Sequence, residues 1–190
     1  MGTKGILIAG VGGQGILRAS DIFARVVMAA GLDVKKSEVH GMAQRGGCVT
    51  SHVRYGEIVC SPLAKKHDID ILVSFEKIET LRYLDYVKAD GTIIINTEEI
   101  FPPAVNLGDA LYPTDIVEKV RLSFEKVKVV DATTLALQAG NIRTVNTVIL
   151  GTLSTCLTFD NETWEKVLKE SFPSKLLSVN IEAFRLGRNV

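Results

Sequence analysis

The stretch Gly5-Ile6-Leu7-Ile8-Ala9-Gly10-Val11-Gly12-Gly13-Gln14-Gly15-Ile16 decides the fold class. Gly5 to Ala9 is a short apolar run closed by Gly10, the pattern of a strand buried on both faces of a parallel sheet. Gly10, Gly12 and Gly15 then satisfy the spacing G-x-G-x-x-G. From Ile16 onward the apolar residues Ile16, Ala19, Ile22, Phe23, Val26, Val27 and Ala30 recur three and four apart until Gly31, which predicts an amphipathic helix with a glycine stop. Strand, glycine turn and helix in this order open a βαβ unit, and backbone amides at the helix N-terminus there make a cradle for an anion. Gly10 and Gly12 permit the tight turn and a close approach to the anion, while Gly15 lets the helix pack on the strand.

Outward from that stretch the rhythm continues. Val34–Val39 predicts a second strand; Cys48–Arg54, the turn Tyr55-Gly56-Glu57 and Ile58–Cys60 predict a β-hairpin, which is foreign to a plain doubly wound sheet. Ile69–Phe75 and Thr92–Asn96 read as buried strands, joined by a helix through Ile78, Leu81, Leu84 and Val87. Residues 96–113 hold Pro102, Pro103, Gly108 and Pro113 and predict a long loop. A helix from Asp115, a strand over Val127–Val130, and helices over 132–139, 145–157, 162–171 and from Lys175 complete the chain. The expected architecture is α/β: a Rossmann-like, mostly parallel sheet flanked by helices, with a β-hairpin insertion and a helical C-terminal region, residues 1–190 forming one domain.

Composition bounds the function. Of 190 residues, 46% are hydrophobic, enough for one sizeable core. Lys plus Arg and Asp plus Glu number 22 each, so no overall field draws the chain to nucleic acid or an anionic membrane. No apolar run reaches the roughly 18 residues of a membrane span, and Met1-Gly2-Thr3-Lys4 leads straight into the first strand, so a cytoplasmic location is expected. Cys48, Cys60 and Cys156 are scattered and read as small buried hydrophobes; with His40, His52 and His67 they show no metal-ligand spacing.

The glycine turn by itself has competing readings: a dinucleotide site, an anion cradle of another kind, or a turn that serves only packing. A dinucleotide site wants an acidic residue after the second strand, and Glu38 is the candidate, although it lies beyond the roughly 20-residue spacing. The segment His40-Gly41-Met42-Ala43-Gln44-Arg45-Gly46-Gly47 is polar-loop material in which Arg45 can present a planar fork to phosphate or carboxylate, with Gln44 and His40 as further hydrogen-bonding groups. Ser51 and His52 are adjacent in a strand and point to opposite faces, which excludes a nucleophile–base pair. Glu98-Glu99 reads as a pair of solvated caps before the proline loop.

GVGGQG at 10–15 followed by its helix, together with SEVHGMAQRGGCVTSHVRYG at 37–56, resembles the gamma domain of 2-oxoacid:ferredoxin oxidoreductases, most closely the small subunit of the indolepyruvate type. Ser61-Pro62, Ala139-Gly140-Asn141 with Arg143 and Asn146, and Leu150-Gly151 extend the resemblance over most of the chain. It implies an enzyme that cleaves a 2-oxoacid such as an aryl pyruvate oxidatively, releasing CO2, with coenzyme A capturing the acyl group and ferredoxin the electrons. Thiamine diphosphate, Mg and iron–sulfur clusters are then expected on a large alpha partner subunit. This chain has neither a cysteine cluster nor a thiamine-type G-D-G run, and no catalytic residue is assigned to it. The resemblance suggests coenzyme A near Gly10, Gly12, Gly13, Gln14 and Gly15. His40, Gln44, Arg45, Gly46, Gly47, Asn141, Arg143 and Asn146 are then expected on a substrate- or partner-facing side, although Asn141, Arg143 and Asn146 also read as a polar helix start that caps its own amides. The alternatives are a stand-alone NAD(P)-dependent dehydrogenase and a nucleotide-binding regulator.

Overall fold

The computed structural model describes residues 2–41 and 47–190. Strands β1 (Lys4–Val11), β2 (Asp33–His40), β3 (Cys48–Gly56), β4 (Ile69–Ser74), β5 (Val87–Asn96) and β6 (Lys126–Val130) form one sheet in the order β2-β3-β1-β4-β5-β6. β1, β4, β5 and β6 pair in parallel; β3 runs antiparallel to both β1 and β2. The helices are α1 (Ile16–Ala29), α2 (Lys77–Tyr83), α3 (Pro103–Asn106), α4 (Ile116–Ser123), α5 (Ala132–Ala139), α6 (Val145–Ser154), α7 (Asn161–Ser171) and α8 (Ser174–Arg188).

The apolar run of β1 is continuous because both of its faces are covered. Ile6 and Ile8 pack into a layer with Phe23 and Val26 of α1, Leu150 of α6, Trp164 of α7 and Phe184 of α8. Leu7 and Ala9 pack on the opposite face with Ile116 and Val120 of α4 and with Ile78 and Leu81 of α2. The fold class is thus the one read from the sequence, a mostly parallel sheet flanked by helices with a helical C-terminal region; the antiparallel β3 makes the sheet mixed.

The antiparallel hairpin differs in its arms. β3 does not fold back onto Ile58–Cys60, which form no strand; it pairs with β2, in the register Glu38↔Ser51 and Lys36↔Val53. Bonded by β1 on one edge and β2 on the other, β3 has no edge left for a further arm. The chain after Gly56 instead crosses the start of β2, where the Val59 amide donates to the Asp33 carboxylate at 2.8 Å. Two other boundaries move. α2 stops at Tyr83 and passes through a 3₁₀ turn at Leu84–Tyr86, so that Val87 opens β5, and the proline-rich loop contains the short α3.

α6 and α8 cross at their glycines. A Cβ on Gly151 would overlap the carbonyl oxygen of Phe184, and one on Gly187 would overlap that of Val148. Buried hydroxyls stitch the same contact, with Thr152 Oγ1 donating to Gly187 O at 2.9 Å and Thr147 Oγ1 to Asn180 Oδ1 at 2.7 Å. Because backbone rather than a flexible side chain occupies the space, Gly151→Ala is expected to cost about 3 kcal/mol, the upper end of overpacking effects. Urea unfolding followed by circular dichroism checks this; a loss below about 1 kcal/mol would mean that the two helices part without penalty.

Candidate functional site

The turn between β1 and α1 is built from the inside by one side chain. Gln14 Oε1 accepts from the Val11 amide at 2.7 Å, and Gln14 Nε2 donates to Phe75 O at 3.0 Å and to Glu98 Oε2 at 3.1 Å. Gly10 makes room for it, since a Cβ there would lie 2.6 Å from Gln14 Oε1 and 2.8 Å from Phe75 Cβ. The Gly12 amide donates to Gly47 O at 2.9 Å, which ties the turn to the start of β3. α1 then begins at Gly15 with φ 82° and no side chain capping its first turn. Gly15 is constrained twice, by its left-handed backbone and by Asn146, whose Nδ2 would lie 2.9 Å from a Cβ.

Two cavities adjoin this turn and share Gly12, Gly13 and Gly15. One, of about 420 Å³, is lined among the described residues by Ile16, Leu17, His40, Gly41 and Val49 besides the glycines. The other, of about 640 Å³, is lined by Gln14, Glu98, Ile100, Thr133, Ile142, Arg143, Val145 and Asn146. Arg143 is exposed, and no carboxylate among the described residues pairs with it. Asn146 is only 8% exposed, and its Nδ2 donates to no described residue. The larger cavity therefore brings together uncapped backbone amides, a free guanidinium and an unused amide donor, all suited to an anion such as a phosphate or diphosphate.

Of the residues singled out from sequence, Gly12, Gly13, Gln14, Gly15, Arg143 and Asn146 share the larger cavity, and His40 lies on the smaller. Gly10 sits behind the turn, and Gly47 holds it through a backbone bond. Asn141 faces neither cavity; its Oδ1 accepts from the Arg143 amide and caps the 3₁₀ turn Ile142–Thr144. Gln44, Arg45 and Gly46 lie outside the described residues. Glu38 does not take the ribose-binding position of a dinucleotide site. It pairs with Lys36 on β2, and β3 separates that strand from β1.

Glu98, expected to be a solvated cap, is half-buried instead, and Asn96 Nδ2, which donates to Phe75 O at 2.9 Å, also approaches Glu98 Oε2 at 3.4 Å. Asn96 Oδ1 in turn accepts from the Ala132 amide, so the cavity floor is joined to the start of α5. The signal available was position: Glu98 closely follows the apolar run Ile93-Ile94-Ile95, at the carboxyl end of a central strand where ligands gather.

Among the described residues the other polar groups near the turn form no nucleophile–base pair. Ser51 Oγ and His52 Nδ1 are both buried with no hydrogen-bond partner among the described residues, on opposite faces of β3; burial lowers the His52 pKa. Cys48 Sγ lies 3.0 Å from Tyr83 Oη, and burial pushes its thiol up to about 11. Cys60, expected to be buried, is exposed instead, because the hairpin arm that was to carry it does not form. A thiol with a pKa near 11 is only about one part in a thousand thiolate at pH 8. Iodoacetamide at pH 8 should therefore leave Cys48 unmodified while labelling Cys60, and Cys48 labelling should rise tenfold per pH unit up to about 11. Peptide mapping by mass spectrometry reads this out, and rapid labelling of Cys48 at pH 8 would contradict the assignment.

Among the described residues no three His, Cys, Asp or Glu side chains are grouped to hold a metal ion, and no helix is long and apolar enough to cross a membrane. The family model for pyruvate ferredoxin/flavodoxin oxidoreductase matches residues 5–190. An indolepyruvate oxidoreductase subunit IorB from Thermococcus kodakarensis is 42% identical over 187 residues, 96% of this chain and 93% of that protein. The subunit of the same name from Archaeoglobus fulgidus is 39% identical over 188 residues, 97% of this chain and 93% of that protein. Pyruvate oxidoreductase subunit PORC from Thermotoga maritima superposes with a TM-score of 0.74 at 25% identity, over 100% of this chain and 97% of that one. A 2-oxoglutarate:ferredoxin oxidoreductase from Magnetococcus marinus, solved with 2-oxoglutarate, coenzyme A and succinyl-CoA bound, has the same fold, with a TM-score of 0.77 at 22% identity. The match takes in all of this chain but only 31% of that longer one.

Proposed function

This chain belongs to the pyruvate ferredoxin/flavodoxin oxidoreductase family, and from that premise we propose that it is the small subunit of an indolepyruvate-type 2-oxoacid:ferredoxin oxidoreductase. It is a subunit of an oxidoreductase complex and carries out a binding role within it. Identity of about two residues in five with proteins named for indolepyruvate, over nearly their whole length, favours an aryl pyruvate as the 2-oxoacid. Residues 1–190 form one gamma-type domain that works in the cytoplasm.

The observation that carries the binding role is the uncapped start of α1 beside Gly13 and Gly15, flanked by the Arg143 guanidinium and the unused amide of Asn146. Coenzyme A brings a diphosphate of the right charge and size for it. A large alpha subunit holds thiamine diphosphate with Mg and the iron–sulfur clusters, which supply the decarboxylation and electron-transfer chemistry that ends in acyl-CoA, CO2 and reduced ferredoxin. The residues of this chain bind and orient the acyl acceptor. Gln14 fixes the shape of the cradle from behind, the free backbone amides and Asn146 meet the diphosphate at close range, and Arg143 adds an exposed charge.

The tagged chain, recovered anaerobically from its own cells, should bring with it a brown, thiamine-containing large partner; a colourless, solitary protein would overturn the subunit assignment. In the reconstituted complex Arg143→Ala should raise KM for coenzyme A about tenfold, the worth of one charge-assisted contact, with kcat nearly unchanged. An unaltered KM for coenzyme A would remove Arg143 from the acceptor site.

A further inference from the structure

A polar cavity of about 290 Å³ lies at the end of the sheet remote from the glycine turn, where β1 enters at Lys4. That is the space of roughly ten waters at ~30 Å³ each. The fold departs from regular pairing to make it. Between the pairs Ile69↔Val87 and Ile71↔Thr92, β4 advances by Asp70 alone, whereas β5 spends Lys88, Ala89, Asp90 and Gly91. Gly91 allows this excursion to close on itself, since a Cβ there would lie 2.5 Å from Val87 Cγ1 and 2.9 Å from Lys88 O. Irregular pairing of this kind re-aims side chains at a strand end. Here it brings Lys88 Nζ to Asp70 Oδ1 at 2.9 Å and sets Asp90 and Gly91 in the cavity lining.

The floor is fixed and carries an excess of positive charge. Asp70 accepts from the Gly5 amide at 2.8 Å and from Lys4 Nζ at 3.0 Å as well as from Lys88, so two ammoniums meet one carboxylate. Lys126, which donates to Asp90 O at 3.1 Å, and the exposed Asp90 offset one another in sign. Ile71 and Leu157 supply apolar surface from the sheet and from the segment after α6.

Tyr55 is the group that the fold leaves unused. It is only 5% exposed, and its ring is wedged against Phe23 of α1 at 5.7 Å and Phe159 at 5.6 Å. Its hydroxyl finds no hydrogen-bond partner among the described residues, and the residue lines the cavity. Burial, with Asp70 nearby, pushes its pKa up to about 12, so the phenol stays a neutral donor. Lys4 stands directly across from it in the β1–β3 register, on the same face of the sheet, and has hydrogens to spare beyond Asp70.

We propose that this cavity is a second ligand site, separate from the acceptor site, and that it takes a small aliphatic monocarboxylate. The acid group accepts from Tyr55 Oη and Lys4 Nζ, and the chain lies between Ile71 and Leu157. One excess positive charge matches a monoanion. A phosphate would call for clustered backbone amides such as a helix N-terminus offers, and the described lining includes no first turn of a helix.

Calorimetric titration of the full chain with hexanoate, the uncharged hexanamide and inorganic phosphate tests this. Hexanoate should bind about tenfold tighter than either of the others, the worth of one charge-assisted contact. Tyr55→Phe removes only an oxygen that the fold does not use; it should weaken hexanoate about tenfold and leave the urea midpoint in place. Lys4→Met should also weaken hexanoate, with Lys88 still neutralising Asp70, and it decides the matter if Tyr55→Phe does not fold. Equal binding of hexanamide would reduce the cavity to an apolar crevice, and tighter binding of phosphate would make it an inorganic anion site. Either result overturns the proposal, as does unchanged hexanoate affinity in both variants. Failure of hexanoate to bind the full chain and the reconstituted complex overturns it too, and leaves the subunit assignment untouched.

Discussion

The side chain of Gln14 holds the functional end of this molecule together. Within one residue it closes the glycine turn by accepting from the Val11 amide, joins that turn to the end of β4 through Phe75 O, and reaches the segment after β5 through Glu98. Three strand ends are thereby fixed relative to one another by a single amide group. The arrangement demands the glycine at position 10, where a Cβ would lie 2.6 Å from Gln14 Oε1. In a glycine-rich turn of this kind the first glycine is usually understood through the turn it permits; here it also vacates the space that the glutamine occupies. With its side chain turned inward, Gln14 leaves the outer surface of the turn to backbone amides, so the cradle presents fixed dipoles rather than flexible groups.

How much of this was legible follows from what each residue type encodes locally. The amphipathic spacing of Ile16 to Val27 and the continuous run Gly5–Ala9 each specify one element without reference to any other, and both elements form. The partner of β3 could not be read in the same way. Cys48–Gly56 has the character of a buried strand, but whether it pairs with residues before or after it depends on long-range register, and the glycine at position 56 drew the pairing forward when the structure takes it back to β2. The same insertion displaced Glu38. Counting along the chain put an acid near the end of the second strand, whereas the third strand wedged beside β1 moves that acid one strand away from the turn.

The cavity residues divide along a similar line. Gly12, Gly13 and Gly15 announce themselves through a motif, because their conformational freedom is written in their identity. Arg143 and Asn146 came from the resemblance rather than from any rule of spacing, and only the meeting of Asn146 with Gly15 shows why a buried amide belongs there. Asn141, drawn from the same short segment, turns out to serve its own 3₁₀ turn. Glu98 was invisible for the opposite reason: acidic pairs at strand ends are common and mostly solvated, and its half-burial arises from Gln14 and Asn96, which are distant from one another in sequence.

The larger cavity holds opposed charges, with the Glu98 carboxylate and the Arg143 guanidinium in one lining. The cost is electrostatic, since Glu98 opposes the anion that the neighbouring amides and Arg143 attract. That opposition is softened because two side-chain amides approach the carboxylate oxygen Oε2 and hold it in place. The anion must then be met mainly by short-range donors, and the buried Asn146 amide beside Gly15 is such a donor, available only because position 15 carries no side chain.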